Sequence, residues 1–190
     1  MNFADLAYLQ RGNDRQQSAY QALNELELFS YLANFHPILT GTVPLSIDIP
    51  SSDLDICCEV YQPKSFAATV AKQYGHLPNF KVQPIIVNHV LTTVIQFRYG
   101  QWLIELFGHP LPPVQQQAYR HMIVEHRVIG LANANFCETI ITLKRKGIKT
   151  EPAFAQLLNL PGNPYEALLS LESYSDQQLE KLLHSVSYHN

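Results

Sequence analysis

Asp53 and Asp55 stand at the head of an apolar run in which Leu54, Ile56, Cys58 and Val60 recur every second residue. If Asp53 to Val60 is a strand, its period of two sets both carboxylates on one face and the apolar side chains on the other. Such a face offers the oxygen ligands that hard divalent cations prefer. A ten-residue spacer upstream, Gly41-Thr42 closes another apolar run, and a glycine there lets backbone N–H groups approach phosphate oxygens. A third carboxylate, Glu105, lies inside the run Trp102-Leu103-Ile104-Glu105-Leu106-Phe107, where an unpaired charge is costly to bury. Three carboxylates converging from neighbouring strands suit nucleotidyl transfer, in which two cations about 4 Å apart bridge a triphosphate and stabilise the attacking and leaving oxygens.

The elements that must position these residues are marked by periodicity and punctuation. The stretch from Asn13 to Leu32 reads as an amphipathic helix, with a capping residue at its head and apolar Ala19, Leu23, Leu26 and Leu32. His36-Pro37 breaks it, and Ile38 to Thr42 reads as a short buried strand ending at Gly41. Pro44 and Pro50 leave room for one helical turn, and Ser51-Ser52 delivers the chain into the carboxylate strand. Pro63 opens a helix running to Tyr74 and closed by Gly75. Phe80 to Asn88, Val90 to Tyr99 and the run from Trp102 read as strands, with a hairpin turn at Gly100 and Pro84 suited to an edge.

Beyond Pro113 the strands stop. Val114 to Leu131 and Asn135 to Lys146 read as helices, the second closing at Gly147. Thr150 is the expected cap of a further helix, Gly162-Asn163-Pro164 a stop and a start, and Ser175 with Gln178 the capping box of the last helix. The expected fold is α+β, with an α/β core over residues 1–112 and a helical carboxyl-terminal region over 113–190 packed on it.

Apolar content of 46% with 15% charged residues describes a folded chain. A net charge of −3 provides no broad basic surface for duplex nucleic acid, although a small phosphorylated ligand needs only a local site. The start, Met-Asn-Phe-Ala-Asp-Leu, has no charged segment followed by a long apolar one, and no run approaches a membrane span, so the expected compartment is the cytoplasm. Cys57, Cys58 and Cys137 lack metal-site spacing and read as buried free thiols.

Several residues carry two readings. Ser52 could touch a phosphate or merely cap the strand entry. Asp48 reads more readily as a surface-loop carboxylate than as a metal or acceptor ligand. Gln117, His121 and Glu125 share a helix face by i, i+4 spacing. That face could hold a general base, but a polar surface with a local His–Glu bond is the simpler account. Lys144, Arg145, Lys146 and Lys149 could hold a triphosphate, though cations at a helix end also complement its dipole; Lys149, just ahead of a helix start, is the best cation candidate. Tyr119 and Trp102 could stack on a base or pack in the core.

Thr40-Gly41-Thr42, the ten-residue spacer, Asp53-Leu54-Asp55-Ile56 and Ile104-Glu105-Leu106 together resemble the DNA polymerase β-like nucleotidyltransferase superfamily. Its motif is an apolar residue, Gly, then Gly or Ser, a spacer, Asp-apolar-Asp or Glu, and a later strand-borne carboxylate. Thr40 and Thr42 depart from it, and Thr42 keeps the hydroxyl. Through Leu39-Thr-Gly-Thr-Val-Pro, Ile47-Asp-Ile-Pro-Ser-Ser-Asp-Leu-Asp-Ile, Tyr119-Arg-His-Met and Lys149-Thr-Glu-Pro-Ala-Phe-Ala, the chain also resembles an uncharacterised bacterial family within the superfamily.

The resemblance implies a mixed sheet flanked by helices, Mg2+ (or Mn2+) at Asp53, Asp55 and Glu105, and transfer of a nucleoside monophosphate from a nucleoside triphosphate to an acceptor. Gly41 and Thr42 would hold the β- and γ-phosphates, with Ser52 and Lys149 assisting. The acceptor stays open among a small molecule, a protein and a short RNA end, as does the oligomeric state. The alternatives are a catalytically silent nucleotide-binding or interaction module of the same fold, and an ordinary α/β protein with coincidental carboxylates.

Overall fold

In the computed structural model, residues 2–186 are described, so Met1 and residues 187–190 lie outside the account. The first elements are helices α1 (Ala7–Gln10), α2 (Asp14–Glu25) and α3 (Leu28–Tyr31), followed by strands β1 (Ile38–Thr40) and β2 (Leu54–Glu59) and helix α4 (Pro63–Tyr74). Strands β3 (Lys81–Val87), β4 (Val90–Tyr99) and β5 (Trp102–His109) follow, then helices α5 (Gln117–Leu131), α6 (Ala134–Arg145), α7 (Thr150–Leu157), α8 (Pro164–Ser170) and α9 (Asp176–Ser185). The class is α+β, with a mixed five-stranded sheet in the order β1-β2-β5-β4-β3. Only the β2–β5 pairing is parallel among these neighbours. Among the described residues no helix is long and apolar enough to cross a membrane.

The chain divides into two compact units. One comprises 1–46 and 52–119, the other 47–51 and 120–190. In the first, period-two alternation sends Leu54, Ile56 and Cys58 to one sheet face, where they join Ile95, Phe97, Ile104 and Leu106 in the core under Leu23, Leu28, Leu32, Phe66, Val70 and Tyr74. The Tyr74 ring stacks on Phe97 at 5.2 Å, and its hydroxyl donates to the Leu26 carbonyl at 3.0 Å. Helix α4 lies directly on β5, because a Cβ at Gly108 would fall 2.8 Å from the Phe66 ring. The opposite face is left to Asp55, Cys57, Glu105 and Phe107.

The second unit is helical apart from its 47–51 segment. Phe136, Ile140 and Leu143 of α6 are buried, as are Ala153 and Phe154 of α7, and the Phe136 and Phe154 rings meet edge to face at 5.5 Å. Lys144 is buried and donates from Nζ to the Ile47 carbonyl at 2.9 Å. Arg127 donates to Asp176 at 2.8 Å and to the Tyr174 carbonyl at 2.6 Å, and Arg120 pairs with Glu172.

Several boundaries differ from the expected ones for identifiable reasons. Glu27 adopts a left-handed conformation (φ 50°), so the helix expected over Asn13 to Leu32 is split into α2 and α3. Gln116 is extended (ψ 147°), which detaches a 3-10 turn at Pro113–Gln115 from α5. Gly75 closes α4 in the right-handed region rather than the left-handed one usual for a C-terminal glycine. Lys149, not Thr150, occupies the N-cap of α7, and no side chain caps that end. The Ser175–Gln178 capping box is present, and β3 is an edge strand.

Candidate active site

β1 ends at Thr40, and Gly41 turns the chain with φ +79°, a conformation that costs an L-residue about 1–2 kcal/mol. The turn brings the backbone against β2, so that a Cβ at Gly41 would stand 2.7 Å from Asp55 Oδ2. Glycine is therefore demanded twice, by its torsion and by the carboxylate beside it. The hydroxyl of Thr40 donates to the Asp55 carbonyl at 3.2 Å, tying the two strands at this level. Thr42 Oγ1 donates to Ser52 Oγ at 3.4 Å, closing the loop between β1 and β2 at its base.

Register sets a row across the sheet. Thr40 is opposite Asp55, Asp55 opposite Glu105, Glu105 opposite Gln96, and Gln96 opposite Lys81. Directly opposed residues share a face, so Asp55 and Glu105 are neighbours on the face away from the core. Gln96 Nε2 donates to Glu105 Oε2 at 2.5 Å and fixes the orientation of that carboxylate. Asp53 lies one residue ahead of β2, so the strand pleat does not set its direction as the sequence reading supposed. Glu105 was unexpected in an apolar run, and its half-buried position with an amide donor accounts for it.

Gln16 is the residue that sequence reasoning passed over. Nearly fully buried on α2, it completes the capping box with Asn13, and its Nε2 also donates to the carbonyls of Val43 at 2.9 Å and Pro44 at 3.3 Å. It thereby holds the loop that follows Gly41 and Thr42. Asn13-x-x-Gln16 marks the capping role in the sequence; the second role has no local signature. Cys57, on the same face as Asp55, is held protonated, its thiol pushed up to about 12 chiefly by burial, which makes it a poor nucleophile.

Lys149, Lys144, His121 and Glu125 belong to the second unit. Lys144 is engaged by the Ile47 carbonyl, and Lys149 holds the N-cap position of α7. His121 and Glu125 are buried rather than forming a polar surface, and Gln117 on the same helix is exposed. His121 Nε2 is 2.9 Å from the Tyr165 carbonyl, and its Nδ1 is 4.0 Å from Glu151. Trp102 is buried and donates from Nε1 to Ser18 at 3.2 Å, which makes it a core residue.

The donor set at Asp53, Asp55 and Glu105 is all oxygen, as a hard divalent cation requires. Among the described residues no three His, Cys, Asp or Glu side chains are gathered at metal-site spacing. Mg2+ is ordinarily held by one or two carboxylates completed by substrate phosphates rather than by an all-protein cage.

No curated protein matches the sequence. Among solved structures, the fold is similar to that of the Cid1 poly(U) polymerase with MgGTP bound, at a TM-score of 0.54 and 11% identity over 82% of this chain and 49% of that one. It is also similar to a cytoplasmic RNA terminal U-transferase, at a TM-score of 0.51 and 12% identity over 79% of this chain and 42% of that one. The chain thus spans about half the length, or less, of the structures it matches, and at these identities the likeness is one of fold, the nucleotidyltransferase fold. The family model described as a domain of unknown function, DUF4269, matches residues 21–171, and the chain belongs to that family.

Proposed function

We propose that the chain is a metal-dependent nucleotidyltransferase of the DNA polymerase β-like superfamily, of bacterial type and cytoplasmic, moving a nucleoside monophosphate from a nucleoside triphosphate to an acceptor. The observation that carries this reading is the row that sets Asp55 beside Glu105, with the Gly41 backbone drawn close against the Asp55 carboxylate. Asp53 and Asp55 would hold Mg2+ or Mn2+, and Glu105 would complete the site on the acceptor side. When bound, the cations supply the positive charge that organises the triphosphate and stabilises the transition state.

The chain's own part is binding and orientation. Gly41 presents backbone without a side chain in the way, and Thr42 presents a hydroxyl, to the β- and γ-phosphates. Ser52 adds a second hydroxyl at the loop base. Gln96 keeps Glu105 turned to its task, while Gln16 keeps the Val43–Pro44 segment from relaxing away. The Cid1 structure with MgGTP supports a nucleoside triphosphate as the donor. The low net charge disfavours duplex nucleic acid as acceptor.

A test is incubation of the protein with Mg2+ and each α-labelled triphosphate in a cell extract, followed by identification of labelled product. Metal-dependent label on an acceptor is expected. A silent nucleotide-binding module is the second reading, favoured by the hydrogen bond that already engages Glu105 with Gln96. Calorimetric binding of a triphosphate with no label transferred from any of the four would overturn catalysis in its favour.

A further inference from the structure

Past Glu105 the same face of β5 continues to Phe107 and His109, at the period of two. These two side chains form one wall of a cavity of about 340 Å³, closed by Asn88 and by Gln115, Gln116 and Gln117. All of these residues lie within the first unit. The rings of Phe107 and His109 are nearly parallel, 6.2 Å apart with 6° between their planes. Gln116 is nearly fully buried, and its Nε2 donates to the Cys58 carbonyl at 3.0 Å and the Leu111 carbonyl at 2.9 Å. Those two bonds settle which end of its amide is which and leave Oε1 as an acceptor. Gln116 Oε1 and His109 Nδ1 are both buried without a hydrogen-bond partner among the described residues, although buried polar atoms are ordinarily paired.

The lining has four carboxamides and an imidazole, and no Lys, Arg, Asp or Glu. Burial lowers the His109 pKa, which favours the neutral ring. A phosphodiester strand would find no cation here, and phosphate pairing dominates nucleic-acid affinity. The volume sits at the small end of the roughly 300–1,000 Å³ typical of small-molecule pockets. Phe107 is two residues along the strand from Glu105, a rise of roughly 7 Å, so a ligand seated on it could extend a hydroxyl toward the carboxylate row.

We propose that this cavity is the acceptor subsite and that it takes an uncharged small molecule with a flat body and an amide-like edge, donating an N–H to Gln116 Oε1 and pairing with His109 Nδ1. The inference rests on the nucleotidyl-transfer reading and adds the class of acceptor to it. Both residues line the cavity, so the polar edge of the ligand is set against them. The acceptor hydroxyl oxygen forms the new bond to the α-phosphorus and loses its proton to water. The bond from that phosphorus to the α–β bridging oxygen breaks, and its electron pair leaves on pyrophosphate.

Benzamide is a suitable probe, being flat, neutral and amide-edged, and benzoate is its charged counterpart of the same shape. Ala118 lines the cavity from an exposed position near the start of α5, so Ala118→Trp fills the space without touching the core. With the full chain, ligand-observed NMR should give saturable benzamide binding, benzoate at least tenfold weaker, and a loss of at least tenfold in Ala118→Trp at an unchanged melting temperature. Label transfer in extract should fall at least tenfold in Ala118→Trp, with triphosphate affinity unchanged within twofold. Absence of benzamide binding, equal binding of benzoate, or transfer to a uridylate oligomer at the wild-type rate in Ala118→Trp overturns the inference and leaves the transfer reading in place. Benzamide binding by a wild-type chain that transfers no label overturns the transfer reading and the acceptor role with it.

Discussion

Gly41 is the residue on which the site's geometry turns. Its left-handed torsion and the closeness of Asp55 Oδ2 to where a Cβ would stand act together. Gly41→Ala should lower folding stability by about 1–2 kcal/mol from the torsion alone, and should also displace the Asp55 carboxylate and weaken metal-dependent nucleotide binding. Urea melts and calorimetry measure the two effects separately. Retention of wild-type values in both would show that the close approach is immaterial. The positions of Gly41, Asp55 and Glu105 were legible in the sequence because their signals are local: a glycine at the end of an apolar run, a carboxylate alternating with apolar residues, and a lone carboxylate inside an apolar run. Gln96 was legible in principle. Counting back from the Gly100 hairpin turn sets it opposite Glu105.

At the scale of elements, the loop between β1 and β2 is held by a helix far away in sequence. Gln16 reaches from α2 to the carbonyls of Val43 and Pro44, and its loss would leave both buried without that donor. Gln16→Ala should cost about 1–3 kcal/mol of stability and raise amide exchange in the segment after Thr42. Unchanged exchange there would contradict the role given to Gln16. The polar side chains that fix this chain's loops, Gln16, Gln116 and Lys144, were the least readable part of it. Each looks like a solvent-facing residue on a helix or turn, and each finds a backbone carbonyl that only the tertiary fold brings near. The breaks at Glu27 and Gln116 escaped for a related reason, since neither residue type announces a left-handed or extended conformation. Asp53 fell outside β2 because strand ends follow pairing: the β5 register begins at Leu54 opposite Ile104, and the β1 register stops at Thr40 opposite Asp55.

At the scale of the whole molecule, the helical unit carries a pH-dependent stability signature. In the helical unit, burial first and Glu151 second push the Glu125 carboxyl up from 4.5 to about 8, against the opposing pull of Lys144. The folded chain therefore keeps a proton that the unfolded chain releases near the ordinary value. The stability associated with this group is full below about 4.5, falls as pH rises toward about 8, and is level above it. Glu125→Gln removes the slope, so its melting temperature relative to wild type should rise steadily between those two values; a pH-independent difference would contradict the assignment.

The proposed transfer rests on residues of the sheet unit, and its most direct test is the rate of label transfer by wild type and Asp55→Asn, each with and without Mg2+. Removing that charge should cost several kcal/mol of transition-state stabilisation, on the order of a thousandfold in rate, while the variant keeps its wild-type melting temperature within a few degrees. An Asp55→Asn protein that transfers labelled nucleotide as fast as wild type would contradict the account.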